Sequence, residues 1–272
     1  MKKQIVKNKR KTKKPNIIVL SGYGLNCEEE TKFAFELAGG VAQIVHINDL
    51  VVKPTLLDTC DILAFPGGFS FGDDTGSGKA FANKIRNHLS LELHEFLSRD
   101  TLCIGICNGF QILTNLGILS GALTHNSGGR YIDRWVDLKV TGKSPWLKGI
   151  KNISLPIAHG EGKYIVDTKT YKNLKKSNQV AFVYEKGPIC KFQNLDLNPN
   201  GAMYNIAGVL SKNGRVLGMM PHPERNIFFH QSPLWQKEKE ILKRKGKSTA
   251  KLSNLNGDSL KIFKNAIEYF TK

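Results

Sequence analysis

Short apolar runs alternate with amphipathic stretches over residues 17–116. Ile17-Ile18-Val19-Leu20 is wholly apolar and is followed by the turn-like Ser21-Gly22-Tyr23-Gly24, the pattern of a buried strand with an abrupt end. Glu28 to Ala38 repeats Phe33, Ala34, Leu37 and Ala38 at helical spacing and opens on acids, which suit the positive end of a helix dipole. Gln43 to Asn48 and Ile62 to Phe65 read as further strands, the latter stopped by Pro66-Gly67-Gly68. Lys79 to Leu97 predicts one helix, with Phe81, Ile85, His88, Leu89 and Phe96 near one stripe. Leu102 to Ile106 predicts a strand and Gly109 to Leu116 a helix.

The second half is richer in strand patterns: Trp135–Val140, Ile153–Pro156, Lys163–Val166, Val180–Tyr184, Asn205–Leu210 and Val216–Met220. The chain closes on Ser259–Phe270, where Leu260, Phe263, Ile267 and Phe270 recur at helical spacing. Strands alternating with helices imply parallel strands joined by right-handed crossovers. The fold class is therefore α/β: a doubly wound, mostly parallel sheet flanked by helices, with an added antiparallel strand region in the second half. Ligands in such sheets sit at the carboxyl ends of the strands.

Composition narrows this reading. The length of 272 residues, with 40% hydrophobic and 23% charged residues, is that of a globular chain able to bury a core. No apolar run is long enough for a membrane span. The basic start has no apolar stretch of the secretory type, and five cysteines without paired spacing suit a reducing, cytoplasmic setting. The net charge of +17 is concentrated. Residues 1–15 contribute eight positive charges and residues 237–251 a net five, so the body between them is near neutral. Residues 1–15 hold no aromatic for stacking on bases, which makes a nucleic-acid partner a poor reading. The domain layout is a disordered basic extension over 1–15 and a single domain over 16–272. Within that domain 231–256 is a polar insertion and 258–271 a terminal helix.

Two phosphate-binding patterns nearly fit. Gly22-Tyr23-Gly24-Leu25-Asn26-Cys27 follows a strand and opens a helix, but Cys27 stands where a dinucleotide fingerprint needs its third glycine. Gly72–Ala80 resembles a phosphate loop, yet Asp73 and Asp74 would repel phosphate and Ala80 lacks the hydroxyl for magnesium.

Leu102 to Gln111 carries the chemistry. An apolar strand runs into Gly105-Ile106-Cys107-Asn108-Gly109 and directly into a helix, the layout of a nucleophile elbow with sulfur as the nucleophile. The turn lifts Cys107 to the carboxyl end of the sheet and to a helix N-terminus, where the dipole favours thiolate. Cys60, Cys103 and Cys190 read as structural thiols, and Cys103 and Cys107 lack the second pair that a zinc site needs. No metal site is predicted. The base is found at another strand end, in Met220-Pro221-His222-Pro223-Glu224. His222 and Glu224 project to one side of an extended chain that the prolines keep from becoming helical. His222 can then move protons while Glu224 orients its ring. The side-chain-free loop Pro66-Gly67-Gly68-Phe69, with the Asn108 N–H, can supply an oxyanion hole.

These residues together resemble the class I, triad-type glutamine amidotransferases, whose fold is flavodoxin-like. Five blocks resemble more narrowly the glutaminase subunits of phosphoribosylformylglycinamidine synthase. They are Asn26-Cys27-Glu28 with Phe35–Gly39, Pro66–Asp74, the elbow, Pro156–Tyr164 with Ala158-His159-Gly160-Glu161-Gly162, and Asn198–Gly201 running on to Arg225. The resemblance implies that Cys107 forms a glutamyl thioester, with His222 as acid and base and Glu224 as orienter. It implies oxyanion donors at Gly68 and Asn108, and substrate contacts at Gly67, Phe69 and Gln111. His159 and Glu161 line the site or a docking face, or else form a polar surface turn. It further implies no cofactor in this chain, with ATP and magnesium on a synthetase partner, and a small bridging subunit. Another triad amidotransferase, or a different cysteine hydrolase on the same sheet, is the alternative.

Overall fold

The computed structural model describes residues 14–73, 76–249 and 256–271. All of the predicted basic extension except Lys14 and Pro15 lies outside the described residues, as does 250–255 of the polar insertion.

The first half follows the alternating pattern. Strand β1 (Asn16–Ser21) leads to helix α1 (Glu28–Ala38), β2 (Val41–His46), α2 (Ile47–Val52) and β3 (Ile62–Phe65). Helices α3 (Lys79–His88) and α4 (Ser90–Ser98) precede β4 (Leu102–Ile106) and α5 (Asn108–Asn115). Then come β5 (Ala122–Thr124), β6 (Ile132–Val140), β7 (Asn152–His159), β8 (Lys163–Ile165), α6 (Thr168–Lys176), β9 (Val180–Glu185) and α7 (Pro188–Gln193). The chain finishes with β10 (Ile206–Leu210), β11 (Val216–Met219), α8 (Trp235–Arg244) and α9 (Leu260–Thr271).

Nine strands form one sheet in the order β2-β1-β3-β4-β11-β10-β9-β6-β7. The five from β2 to β11 are mutually parallel, and β10, β9, β6 and β7 continue the sheet antiparallel. Strands β5 and β8 pair separately. The central strands β3, β4 and β11 are buried at every position, as expected of parallel strands covered on both faces. Phe35 of α1 meets Phe263 of α9 edge to face at 4.9 Å, which seats the terminal helix beside α1. Among the described residues no helix is long and apolar enough to cross a membrane.

The predicted strand Gln43–Asn48 ends at His46, α6 and α7 are absent from the sequence pattern, and two further elements depart from it. The predicted helix Lys79–Leu97 is two helices, broken at Leu89 (φ −138°). Leu89 and Leu93 continue the stripe of Phe81 and Ile85 and are buried with it, so the periodicity runs straight through the break. The polar stretch 231–256 holds α8, a helix with no buried residue.

The fingerprint-like glycines have a packing role. Phe69 N–H donates to Gly24 O at 2.8 Å, and a Cβ on Gly24 (φ +100°) would lie 2.5 Å from the Phe69 carbonyl oxygen. Their spacing lets the loop after β1 lie directly on the loop after β3, across the point where strand order reverses.

Candidate active site

Cys107 joins β4 to α5 with φ 50° and ψ −105°, a conformation that costs an L-residue energy and persists only where its surroundings enforce it. They do so through backbone. Cys107 N–H donates to Met219 O at 2.8 Å, and Cys107 O accepts from Phe110 N–H at 3.0 Å and Gln111 N–H at 3.2 Å. A Cβ at Gly105 would press on Leu113 and the Gly109 carbonyl, and one at Gly109 would collide with the Phe65 carbonyl. Both glycines of the elbow are therefore required by close packing. Cys107 lies at the carboxyl end of the sheet but the residue is only 5% exposed, and its Sγ has the Ala158 carbonyl 3.7 Å away.

His222 and Glu224 follow β11. Backbone N–H of His222 donates to Pro156 O at 2.9 Å, which pins the segment to β7. The ring Nδ1 lies 2.6 Å from Glu224 Oε1, and both side chains are buried. Nε2 is buried and, among the described residues, makes no hydrogen bond of good geometry. Burial alone would lower the imidazole pKa, but the Glu224 carboxylate and the Cys107 sulfur outweigh it and hold the ring well above its ordinary value. Cys107 and His222 are thus brought together from strands β4 and β11, which are neighbours in the sheet.

The glycine loop lies beside them. Gly67 O accepts from Asn26 and Cys27 N–H. Gly68 has φ +152°, and a Cβ there would lie 2.5 Å from Gly24 O. Among the described residues, no backbone carbonyl takes the N–H of Gly68 or of Asn108, so both remain able to donate. Phe69 is partly exposed and its ring lies 6.0 Å from that of Tyr131. The two rings form an aromatic rim.

His159 is 2% exposed, so it is not part of a surface turn. Its Nδ1 lies 3.1 Å from Asn126 Oδ1 and its Nε2 3.4 Å from Asn200 Nδ2. Asn126 Oδ1 accepts and Asn200 Nδ2 donates, so the proton belongs on Nδ1. Burial, and then the charge of His222, push the His159 pKa down to about 4. Glu161 lies in the turn between β7 and β8, with Oε1 3.8 Å from His125 Nδ1. Gln111 is buried: its amide donates to Glu161 O at 2.7 Å and its oxygen accepts from Asn108 Nδ2 at 2.7 Å. Gln111 thus ties the elbow helix to the β7–β8 turn.

Two neighbours of the triad were not legible as such. Cys27 reads in sequence as a failed glycine position and as part of the Asn26-Cys27-Glu28 block, with no role at the site attached to it, yet its Sγ, a His222 nitrogen and a Glu224 oxygen lie within 4.8 Å of one another. Arg225 follows the triad carboxylate and donates from Nη2 to Cys27 Sγ at 3.0 Å. Such a trio has the spacing to hold a cation, but the guanidinium, with Nε 3.8 Å from Glu224 Oε1, already supplies positive charge in that corner.

A family model described as a CobB/CobQ-like glutamine amidotransferase domain matches residues 14–270. Phosphoribosylformylglycinamidine synthase subunit PurQ of Methanococcus maripaludis (strain C7) is 47% identical, over 95% of this chain and 98% of that one. The subunit of the same name from Dehalococcoides mccartyi is 39% identical, over 94% and 98%. Among solved structures, a chain of PurLQS from Thermotoga maritima superposes with a TM-score of 0.70 at 31% identity, covering 94% of this chain and 99% of that one.

Proposed function

Since the chain belongs to the CobB/CobQ-like glutamine amidotransferase family, among the glutaminase subunits of phosphoribosylformylglycinamidine synthase, we propose the following division of labour among its residues. The reaction is hydrolysis of glutamine to glutamate and ammonia, in purine biosynthesis. The ammonia passes to a synthetase subunit, which uses ATP to convert formylglycinamide ribonucleotide to its amidine. That synthetase and a small third subunit are the partners.

The observation that carries the assignment is the buried His222–Glu224 pair, 2.6 Å apart, beside a sulfur on a strained elbow. Nε2 of His222 already holds the thiol proton, in keeping with its raised pKa, and Cys107 Sγ attacks the carboxamide carbon as thiolate. The C–O double bond opens to an oxyanion, which the Gly68 and Asn108 N–H groups receive. The C–N bond breaks, the imidazolium gives its proton to the departing nitrogen, and ammonia leaves behind a γ-glutamyl thioester. Water then adds with its proton going to Nε2, the C–S bond breaks, and the thiolate–imidazolium pair is restored. Glu224 stabilises the imidazolium in both halves. Gly67, Phe69 and Gln111 shape the place of the glutamine, with Glu161 and His159 behind them. ATP and magnesium act on the synthetase and this chain uses neither cofactor nor metal. The setting is the cytoplasm, in keeping with five free cysteines.

Cys107→Ala in the reconstituted complex is expected to abolish glutamine-dependent amidine formation and leave ammonia-dependent formation intact. Equal loss of both would refute the assignment.

A further inference from the structure

A second sulfur lies against the triad imidazole. Cys27 ends the loop after β1 and precedes α1. It is fully buried, so it cannot meet substrate and is not a reserve nucleophile. The contact with His222 is built from packing on the glycine loop. A Cβ on Gly67 would lie 2.7 Å from His222 Cε1 and 3.2 Å from Cys27 Sγ, so ring, glycine and sulfur share one tight junction. Arg225 completes the corner by donating from Nη2 to the sulfur at 3.0 Å, while its Nε stays 3.8 Å from Glu224 Oε1.

One hydrogen bond to Glu224 fixes a single ring nitrogen and leaves the imidazole free to swing about its own side-chain bonds. Stops are needed to aim Nε2, and Gly67 with Cys27 supplies them on the loop side. Arg225 poses a second problem. A guanidinium free to form a bidentate pair with Glu224 would compete for the carboxylate that holds Nδ1. Its hydrogen bond to Cys27 holds it at a distance. We propose, on the catalytic reading given above, that Cys27 is a positioning residue. Its sulfur braces the His222 ring and tethers Arg225, so that Glu224 remains committed to His222.

The test uses the subunit in its complex. Cys27→Ala removes brace and tether together. Glutamine-dependent kcat is expected to fall about tenfold, the scale of a small misplacement of a catalytic group, with KM for glutamine within about twofold of wild type. Ammonia-dependent synthesis stays unchanged. With Arg225 drawn onto Glu224 the imidazolium is less stabilised, so the limb of the kcat/KM profile that reports His222 moves to lower pH by about half a unit or more. Cys27→Ser keeps a small hydrogen-bond acceptor and recovers most of the rate and the profile.

Alkylation of Cys107 by iodoacetamide, followed by mass spectrometry across pH, gives a readout that needs no substrate. Its profile moves in Cys27→Ala and returns in Cys27→Ser. A Cys27→Ala variant with wild-type kcat and wild-type profiles overturns the proposal. So does an equal loss in both variants with a lowered Tm and unmoved profiles, which makes the sulfur mere filler. A wild-type complex that ignores glutamine defeats the functional reading alone, and the alkylation profiles still decide the role of Cys27.

Discussion

His222 Nδ1 and Glu224 Oε1 meet at 2.6 Å inside the protein, with neither side chain open to water. A carboxylate in that position favours the charged imidazole and fixes its tautomer. Glu224→Gln keeps the shape and removes the charge, and its amide can present a donor where the ring needs an acceptor. Glutaminase kcat is expected to drop by about 10²–10⁴-fold with little change in fold, measured by steady-state kinetics beside a circular dichroism spectrum. A loss below tenfold would mean that His222 is oriented by something other than Glu224.

The two buried histidines titrate in opposite directions. His222 is raised well above the ordinary value, so its contribution to stability is present in acid and is lost as pH climbs through its folded pKa. His159 is depressed by burial from the ordinary histidine value of 6.5 to about 4. In the window between these values the unfolded chain takes up a proton that the folded chain refuses. The His159 contribution is therefore complete above pH 6.5 and is lost as pH falls toward 4, with an upper size of about 3 kcal/mol. Urea unfolding at pH 7 and pH 5 should show this loss in wild type. His159→Gln should be less stable at pH 7 and should show a smaller drop between the two pH values. An identical drop in both proteins would assign the acid sensitivity to other groups.

Gln111 is engaged at both ends, on the Glu161 carbonyl and on Asn108. Its truncation to alanine should raise KM for glutamine about tenfold, since the buried partners lose their hydrogen bonds and the β7–β8 turn loosens. Hydrogen exchange distinguishes two routes to that result. Faster exchange at Gly160 and Gly162 shows that Gln111 acts through the β7–β8 turn. A raised KM with unchanged exchange shows that it touches glutamine itself.

Much of the sheet was legible because buried parallel strands are written as unbroken apolar runs. Ile62–Phe65 and Leu102–Ile106 are observed with the predicted bounds. Helix α6 was not legible: only Leu174 is buried in Thr168–Lys176, and its clearest signal is the Asp167 side chain accepting from Thr170 N–H at 2.9 Å. Helix α8 has no apolar face turned to a core and so shows no stripe. The break at Leu89 left no mark because the same stripe serves both helices. At the site, glycine spacing disclosed the elbow and the two prolines disclosed the extended His222 segment. The burial of His159 was hidden, since its partners Asn126 and Asn200 come from distant loops that no local pattern joins. Cys27 was hidden for a related reason: its neighbour Arg225 is 198 positions away along the chain.

The meeting of Gly109 with the Phe65 carbonyl bears on how such a catalyst can change. No side chain separates the start of α5 from the end of β3, so the span from sulfur to glycine loop is fixed by the pairing of β3 with β4. Swapping loop residues can alter what the pocket admits, but it cannot stretch or shorten that span. Any lineage that shifted it would have had to re-register two strands at the centre of the sheet, which makes this distance the part of the machine most resistant to drift.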